Sequence, residues 1–86
     1  MRVLLIDDSV IFIKLVKHIL TKEGYKVSEA TNLNRALYVL KNDKPDLIIL
    51  DIFLSTDHGF SFLKQAKEDE NCKDIPVLVV SSINKP

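Results

Sequence analysis

Cysteine is nearly missing from this chain: Cys72 stands alone among 86 residues, so no internal disulfide can form. With no histidine or second cysteine at ligand spacing, Cys72 reads as an ordinary loop thiol, and the zinc-binding classes fall away with it. An excess of either charge is also lacking. Lys plus Arg and Asp plus Glu number 12 each, so no basic field exists to hold nucleic acid or an anionic membrane, and any partner must be recognised locally. Long apolar runs do not occur either. Nothing approaches the roughly 20 residues a membrane span needs, and the N-terminal run meets Asp7 too soon for a signal peptide, which leads us to expect a cytoplasmic location. Internal repeats and low-complexity tracts are absent. What remains is 47% apolar and 28% charged residues, the balance of one small globular domain across 1–86.

Hydrophobic patterning divides the chain into alternating strands and helices. Arg2 to Ile6 reads as a buried strand, and Ser9 to about Glu23 as a helix, capped by Ser9 or Asp8 and stopped by Gly24. Lys26 to Ala30 alternates as a second strand. Thr31 or Asn32 then caps a helix through Leu33, Ala36, Leu37 and Leu40 that ends near Asn42, before Pro45. Asp46 to Leu50 is the third strand, and the loop Asp51 to His58 follows it. Gly59 to about Glu68 is a third helix through Phe60, Leu63 and Ala66, and Ile75 to Val80 is a fourth strand. Continuous apolar strands joined by helical crossovers imply a three-layer α/β fold: a parallel sheet covered on both faces, with right-handed connections.

Three aspartates follow apolar strands: Asp7 and Asp8 after Val3-Leu4-Leu5-Ile6, and Asp51 after Leu47-Ile48-Ile49-Leu50. Taken singly they have plain explanations. Asp7-Asp8-Ser9 is a good helix start, because carboxylates and hydroxyls accept the orphan N–H groups, and an acidic residue after a buried strand is common in loops. Taken together they are more specific. In a flavodoxin-like strand order, 2-1-3-4, the first and third strands are neighbours and their loops open onto one crevice. At an effective dielectric constant of about 20, two like charges about 4 Å apart repel by about 4 kcal/mol, so three converging carboxylates call for a hard cation. Mg²⁺ suits an all-oxygen site of this kind.

Leu-Leu-Ile-Asp7-Asp8-Ser9, Asp46-Leu-Ile-Ile-Leu-Asp51-Ile-Phe-Leu, Gly59-Phe60 and Ile75-Pro76-Val-Leu-Val-Val-Ser81-Ser82 together resemble a bacterial response-regulator receiver (CheY-like) domain. The order and spacing carry the resemblance, including Gly59 eight residues after Asp51 and Ser81 five after Pro76. It implies that Asp51 is the phosphoacceptor, that Asp7, Asp8, Asp51 and the Phe53 carbonyl hold Mg²⁺, and that the Ser81 hydroxyl senses the phosphoryl group. The expected partner is a sensor histidine kinase or phosphotransfer protein, and the expected role is a switch rather than a turnover enzyme. Phe53 and Ile83 would hinder an attacking water and lengthen the life of the phosphoaspartate. A haloacid-dehalogenase-like phosphatase is disfavoured, since Phe53 stands where its second aspartate belongs. His18, mid-helix, and His58, before Gly59, are expected to have no catalytic part.

The departures from the family pattern set a competing expectation. The family's final helix, strand and helix are not present in residues 1–86, nor is the lysine that ends its fifth strand; Lys85-Pro86 imitates that signature but follows Ser81 too closely. Ser55 replaces a usual proline. A pseudo-receiver, acting as an interaction module without phosphate, is therefore the alternative. The first helix also carries Val10, Ile11, Phe12, Ile13, Leu15, Val16, Ile19 and Leu20, a band wider than one core-facing stripe, so self-association of the chain is expected.

Overall fold

The computed structural model describes residues 1–51 and 59–80. Phe53, Ser55, His58, Ser81, Ser82, Ile83 and Lys85 lie outside the described residues, and so do the expectations attached to them. The elements follow in the order β1 (Arg2–Ile6), α1 (Val10–Lys22), β2 (Lys26–Ala30), α2 (Leu33–Asp43), β3 (Leu47–Asp51), α3 (Gly59–Glu68) and β4 (Val77–Val80). The four strands form one parallel sheet in the order β2-β1-β3-β4. The parallel sheet is the one the patterning implied, and its order is the flavodoxin-like one expected with the receiver resemblance.

Local chemistry fixes the helix ends. Ser9 caps α1, its hydroxyl accepting from Phe12 N–H at 3.2 Å, and Asn32 caps α2, its carbonyl oxygen accepting from Arg35 N–H at 2.9 Å. Gly24, at φ +92°, turns the chain out of α1, a conformation that a side chain would oppose. Lys44 makes the corresponding turn after α2 at φ 44° and bears the cost of its Cβ there. Between α3 and β4 the Lys67 ammonium donates to the carbonyls of Lys73 and Ile75, at 3.2 and 3.0 Å, and closes that connection.

Strand alternation assigns each residue to a face. Leu4, Ile6, Ile48 and Leu50 point to the α2–α3 side, where with Ala36, Val39, Leu40, Phe62 and Ala66 they form the main core. Val3 and Leu5 point the other way, toward α1, and are buried as Ile13 is. Two expectations need correction. Leu63 and Ala66 face the core as expected, together with Gly59 and Phe62, while Phe60 is 67% exposed. Phe60 and Phe62 are two positions apart and cannot share a face, and it is Phe62 that joins Leu63 and Ala66 at spacings of three and four. Cys72 lies in the connection before β4 as a loop residue, yet it is buried and joins the main core. Burial pushes its thiol up, and the nearby Asp69 adds to that while Lys44 and Lys41 oppose it.

The sheet is not covered equally. α2 and α3 back one face, whereas among the described residues the other face carries only α1, which packs over β1 and β2. The two-sided cover expected from the sequence holds for half of that face.

Candidate functional site

The carboxyl ends of β1 and β3 bring the three aspartates together. Asp7 continues β1 by one step, its N–H donating to the Ala30 carbonyl of β2 at 3.1 Å, and this ties its backbone into the sheet. Asp51 is the last residue of β3 and pairs in register with Val80, so β3 runs from Leu47 to Asp51, one residue later than the patterning placed it. Asp51 is therefore held by the sheet ladder, not by a loop. Because β1 and β3 are adjacent with Ile6 opposite Leu50, Asp7 and Asp51 stand side by side one step further along. Asp8 occupies the turn into α1.

One ligand oxygen from each of Asp7, Asp8 and Asp51 lies within 4.8 Å of the others. Asp7 and Asp51 are buried, 2% and 1% exposed, and Asp8 is half-buried. At an effective dielectric constant of about 20, each pair of charges at this separation repels by about 3 kcal/mol. The donor set is all oxygen, and among the described residues no sulfur or imidazole joins the cluster. Such a set fits a hard, oxygen-preferring cation, which compensates the charge that burial would otherwise penalise.

The three carboxylates are not equivalent. One oxygen of Asp7 accepts the Ser9 N–H at 2.8 Å, so that oxygen is committed to shaping the turn into α1. Asp7 thus links the acidic cluster to the cap of α1, where the Ser9 hydroxyl in turn accepts from Phe12. This link had a signal in the sequence, because Asp-x-Ser ahead of a helix is an Asx-turn pattern. His18 lies on the exposed side of α1, away from the cluster, as expected. Of the anticipated site residues the structure brings together Asp7, Asp8 and Asp51; Phe53 and Ser81 lie outside the described residues.

Comparisons with known proteins agree with this geometry. The family model of the response regulator receiver domain matches residues 3–86. The chain is 32% identical over 83 residues to the response regulator PleD of Caulobacter vibrioides, spanning 96% of this chain and 18% of that protein. It is 36% identical over 85 residues to the two-component response regulator ORR3 of rice, spanning 98% of this chain and 65% of that one. The chain thus covers less than two thirds of these relatives' length. Among solved structures, the chemotaxis protein CheY4 of Vibrio cholerae superposes with a TM-score of 0.90 at 30% identity, over 99% of this chain and 71% of that chain. With its acidic cluster on the carboxyl edge of a 2-1-3-4 parallel sheet, the chain belongs to the response regulator receiver domain family and so to two-component signalling.

Proposed function

We propose that Asp51 accepts a phosphoryl group from a phosphohistidine on a sensor kinase or phosphotransfer protein. The observation that carries this reading is the convergence of Asp7, Asp8 and Asp51 within 4.8 Å at the carboxyl edge of the sheet. An oxygen of Asp51 attacks phosphorus in line as the bond to the imidazole nitrogen breaks; the product is an acyl phosphate and the imidazole leaves. Asp51 suits this role because its backbone is fixed by pairing with β4, which limits the geometries its carboxylate can adopt.

Asp8, the most accessible of the three, is the most direct metal ligand, and Asp7, with one oxygen held by Ser9, orients the site through its other oxygen. Mg²⁺ at this position supplies neutralisation of charge on the transferring phosphoryl oxygens. The Phe53 carbonyl as a further ligand and the Ser81 hydroxyl as phosphoryl sensor complete the assignment. The domain works as a cytoplasmic switch whose product is its own modified state. A second copy of the chain is the other partner we infer, from the apolar side chains that α1 leaves exposed.

The test is incubation with acetyl phosphate and Mg²⁺, followed by intact mass. One phosphoryl group should be gained, and Asp51→Asn should abolish the gain. No gain from a folded wild-type chain would favour the pseudo-receiver, an interaction module without phosphate.

A further inference from the structure

The polar side of α1 meets the edge of the sheet across an open cleft. Lys14, Lys17, His18 and Thr21 line it at steps of three and four, so over two turns their donor groups share one face of the helix. Glu29 lines the facing wall. As the register partner of Leu5, it stands on the side of the sheet that α1 covers. The cleft encloses about 390 Å³, within the range of small-molecule sites, and α1 and β2 alone bound it. Lys14 stands more than one helical turn past the Ser9 cap, so the cleft is separate from the acidic edge.

The charges in this cleft are not matched. α1 holds three lysines and a histidine and no acidic residue, so Lys14 meets Lys17 at a step of three, and Lys14 meets His18 at a step of four, without the Glu–Lys pairing that supports a helix. Lys22, in the last turn, is favoured by the helix dipole, whereas Lys14, Lys17 and His18 lie before that turn and gain little from it. A single carboxylate answers them. Glu29 pairs with Lys17 at 3.3 Å, and with the two side chains 47% and 49% exposed the pair stays open to solvent. Two ammonium groups, an imidazole and a hydroxyl thus face one carboxylate. Local conflicts of this kind are expected at functional sites, where a ligand resolves them.

We propose that the cleft between α1 and β2 binds a diphosphate group, free or carried on a small ester, through Lys14, Lys17, His18 and Thr21. The inference is independent of the phosphoacceptor role of Asp51. From Lys14 to Thr21 the donors span about 10 Å along the helix, more than one phosphate covers, so two phosphates in a row suit the span better. Each donor type fits the ligand. The ammonium groups of Lys14 and Lys17 act as point charges on phosphate oxygens, while the imidazole N–H of His18 and the hydroxyl of Thr21 donate hydrogen bonds to them. Glu29 has the opposing part. It holds Lys17 on the β2 side while the cleft is empty, and because it repels an anion it limits affinity, so that Lys17 is shared between Glu29 and the ligand. A bound diphosphate would relieve the repulsion along α1 and tie the helix to the edge strand.

Titration of the ¹⁵N-labelled 86-residue chain with inorganic diphosphate in metal-free buffer tests this, with sodium chloride at matched ionic strength as the reference. Saturable amide shifts are expected at Lys14, Lys17, His18, Thr21 and Glu29, and inorganic phosphate should bind about tenfold more weakly. Tighter binding of a nucleoside diphosphate than of inorganic diphosphate would identify the ester as the natural form, and equal or weaker binding the free anion. Lys14→Gln and His18→Gln, both at exposed positions, should each raise the dissociation constant about fivefold, while Lys64→Gln on the exposed side of α3 should leave it unchanged. Glu29→Gln should lower it about threefold, although it breaks the ion pair, which a merely structural role of these residues would not produce. Shifts reproduced by sodium chloride alone, or no saturation by about 10 mM diphosphate, overturn the site. Weaker binding by Glu29→Gln overturns the geometry, and binding of a glutamate-rich peptide without binding of diphosphate overturns the ligand class.

Discussion

The two faces of this sheet are made from the same strands and end up in different environments. Ile48 and Ile49 are neighbours in β3 with nearly the same composition around them, yet Ile48 is fully buried beneath α2 and α3, and Ile49 is half-open beside α1. On the α2–α3 side, burial stays complete from β1 through β3, as Leu4–Ile48 and Ile6–Leu50 show. On the α1 side it fades across a single row. The same alternation that puts Leu5 and Ile49 on the thinner face puts Asp7 and Asp51 at its carboxyl edge. Stability is therefore concentrated on one face, while the acidic site sits at the edge of the other.

The largest expected effect tests this division directly. Ile48→Ala removes a fully enclosed side chain and should cost about 3 to 4 kcal/mol, because the void is bounded by a packed core. Ile49→Ala, one residue away, should cost about 1 to 2 kcal/mol, since water already reaches part of the site. Urea denaturation at low micromolar concentration measures both. Equal costs would mean that the α1 face is as well enclosed as the other, and the contrast drawn above would fail.

Much of this was legible in the sequence because strands and helices punctuate it clearly. Ser9, Gly24, Asn32 and Gly59 mark the helix ends by chemistry that acts locally, and the apolar runs of β1 and β3 place Asp7 and Asp51 through alternation and strand adjacency. The face of α3 was legible at Leu63 and Ala66 but not at its aromatic position. Phe60 and Phe62 are equally apolar, and only packing against the α2 side of the sheet decides between them. Cys72 escaped for a similar reason: a cysteine in an acidic connection looks exposed until Lys67 draws that connection closed and the thiol falls into the core. The excess apolar width of α1 was visible in Ile11, Leu15 and Ile19. Which strand its polar side faces became visible only once Lys17 was seen to reach Glu29. Phe53 and Ser81, assigned by resemblance, have no counterpart among the described residues.

The second effect concerns the acidic edge. Without divalent metal, Asp51→Asn should stabilise the fold by about 1 kcal/mol, because it removes one of three mutually repelling charges of which two are buried. With millimolar Mg²⁺ the order should reverse, the wild type gaining stability by ligand linkage and the variant gaining little. Thermal melts with and without Mg²⁺ read the crossing. A wild type indifferent to Mg²⁺ would remove the metal from the account of this edge.

Of intermediate size are the caps, which compare the helices that serve the two faces. Ser9→Ala and Asn32→Ala each delete one side-chain acceptor and should each cost about 1 kcal/mol. Their local consequences should differ. α2 is pinned between the sheet and α3, so its amides should open only with the whole domain, whereas α1 rests on half a face and should exchange through smaller openings. Native-state hydrogen exchange on the two variants separates these outcomes; slower exchange in α1 than in α2 would contradict the uneven cover.

The smallest expected effect asks what holds α1 to its half of the sheet. Lys17 and Glu29 are the cross-element ion pair found among the described residues, at 3.3 Å with side chains 47% and 49% exposed. At that exposure solvent screens the attraction, and two flexible side chains must be ordered to make it, so Lys17→Met should cost no more than about 0.5 kcal/mol and 0.5 M salt should change wild-type stability by no more than that. Apolar contact of Ile13 with the β1 side of the face should dominate instead, because Ile13 is buried while the pair is not. A loss above 1 kcal/mol for Lys17→Met would mean that charge anchors the helix. In that event the place of α1 over β1 and β2 would be a consequence of where the ion pair holds it.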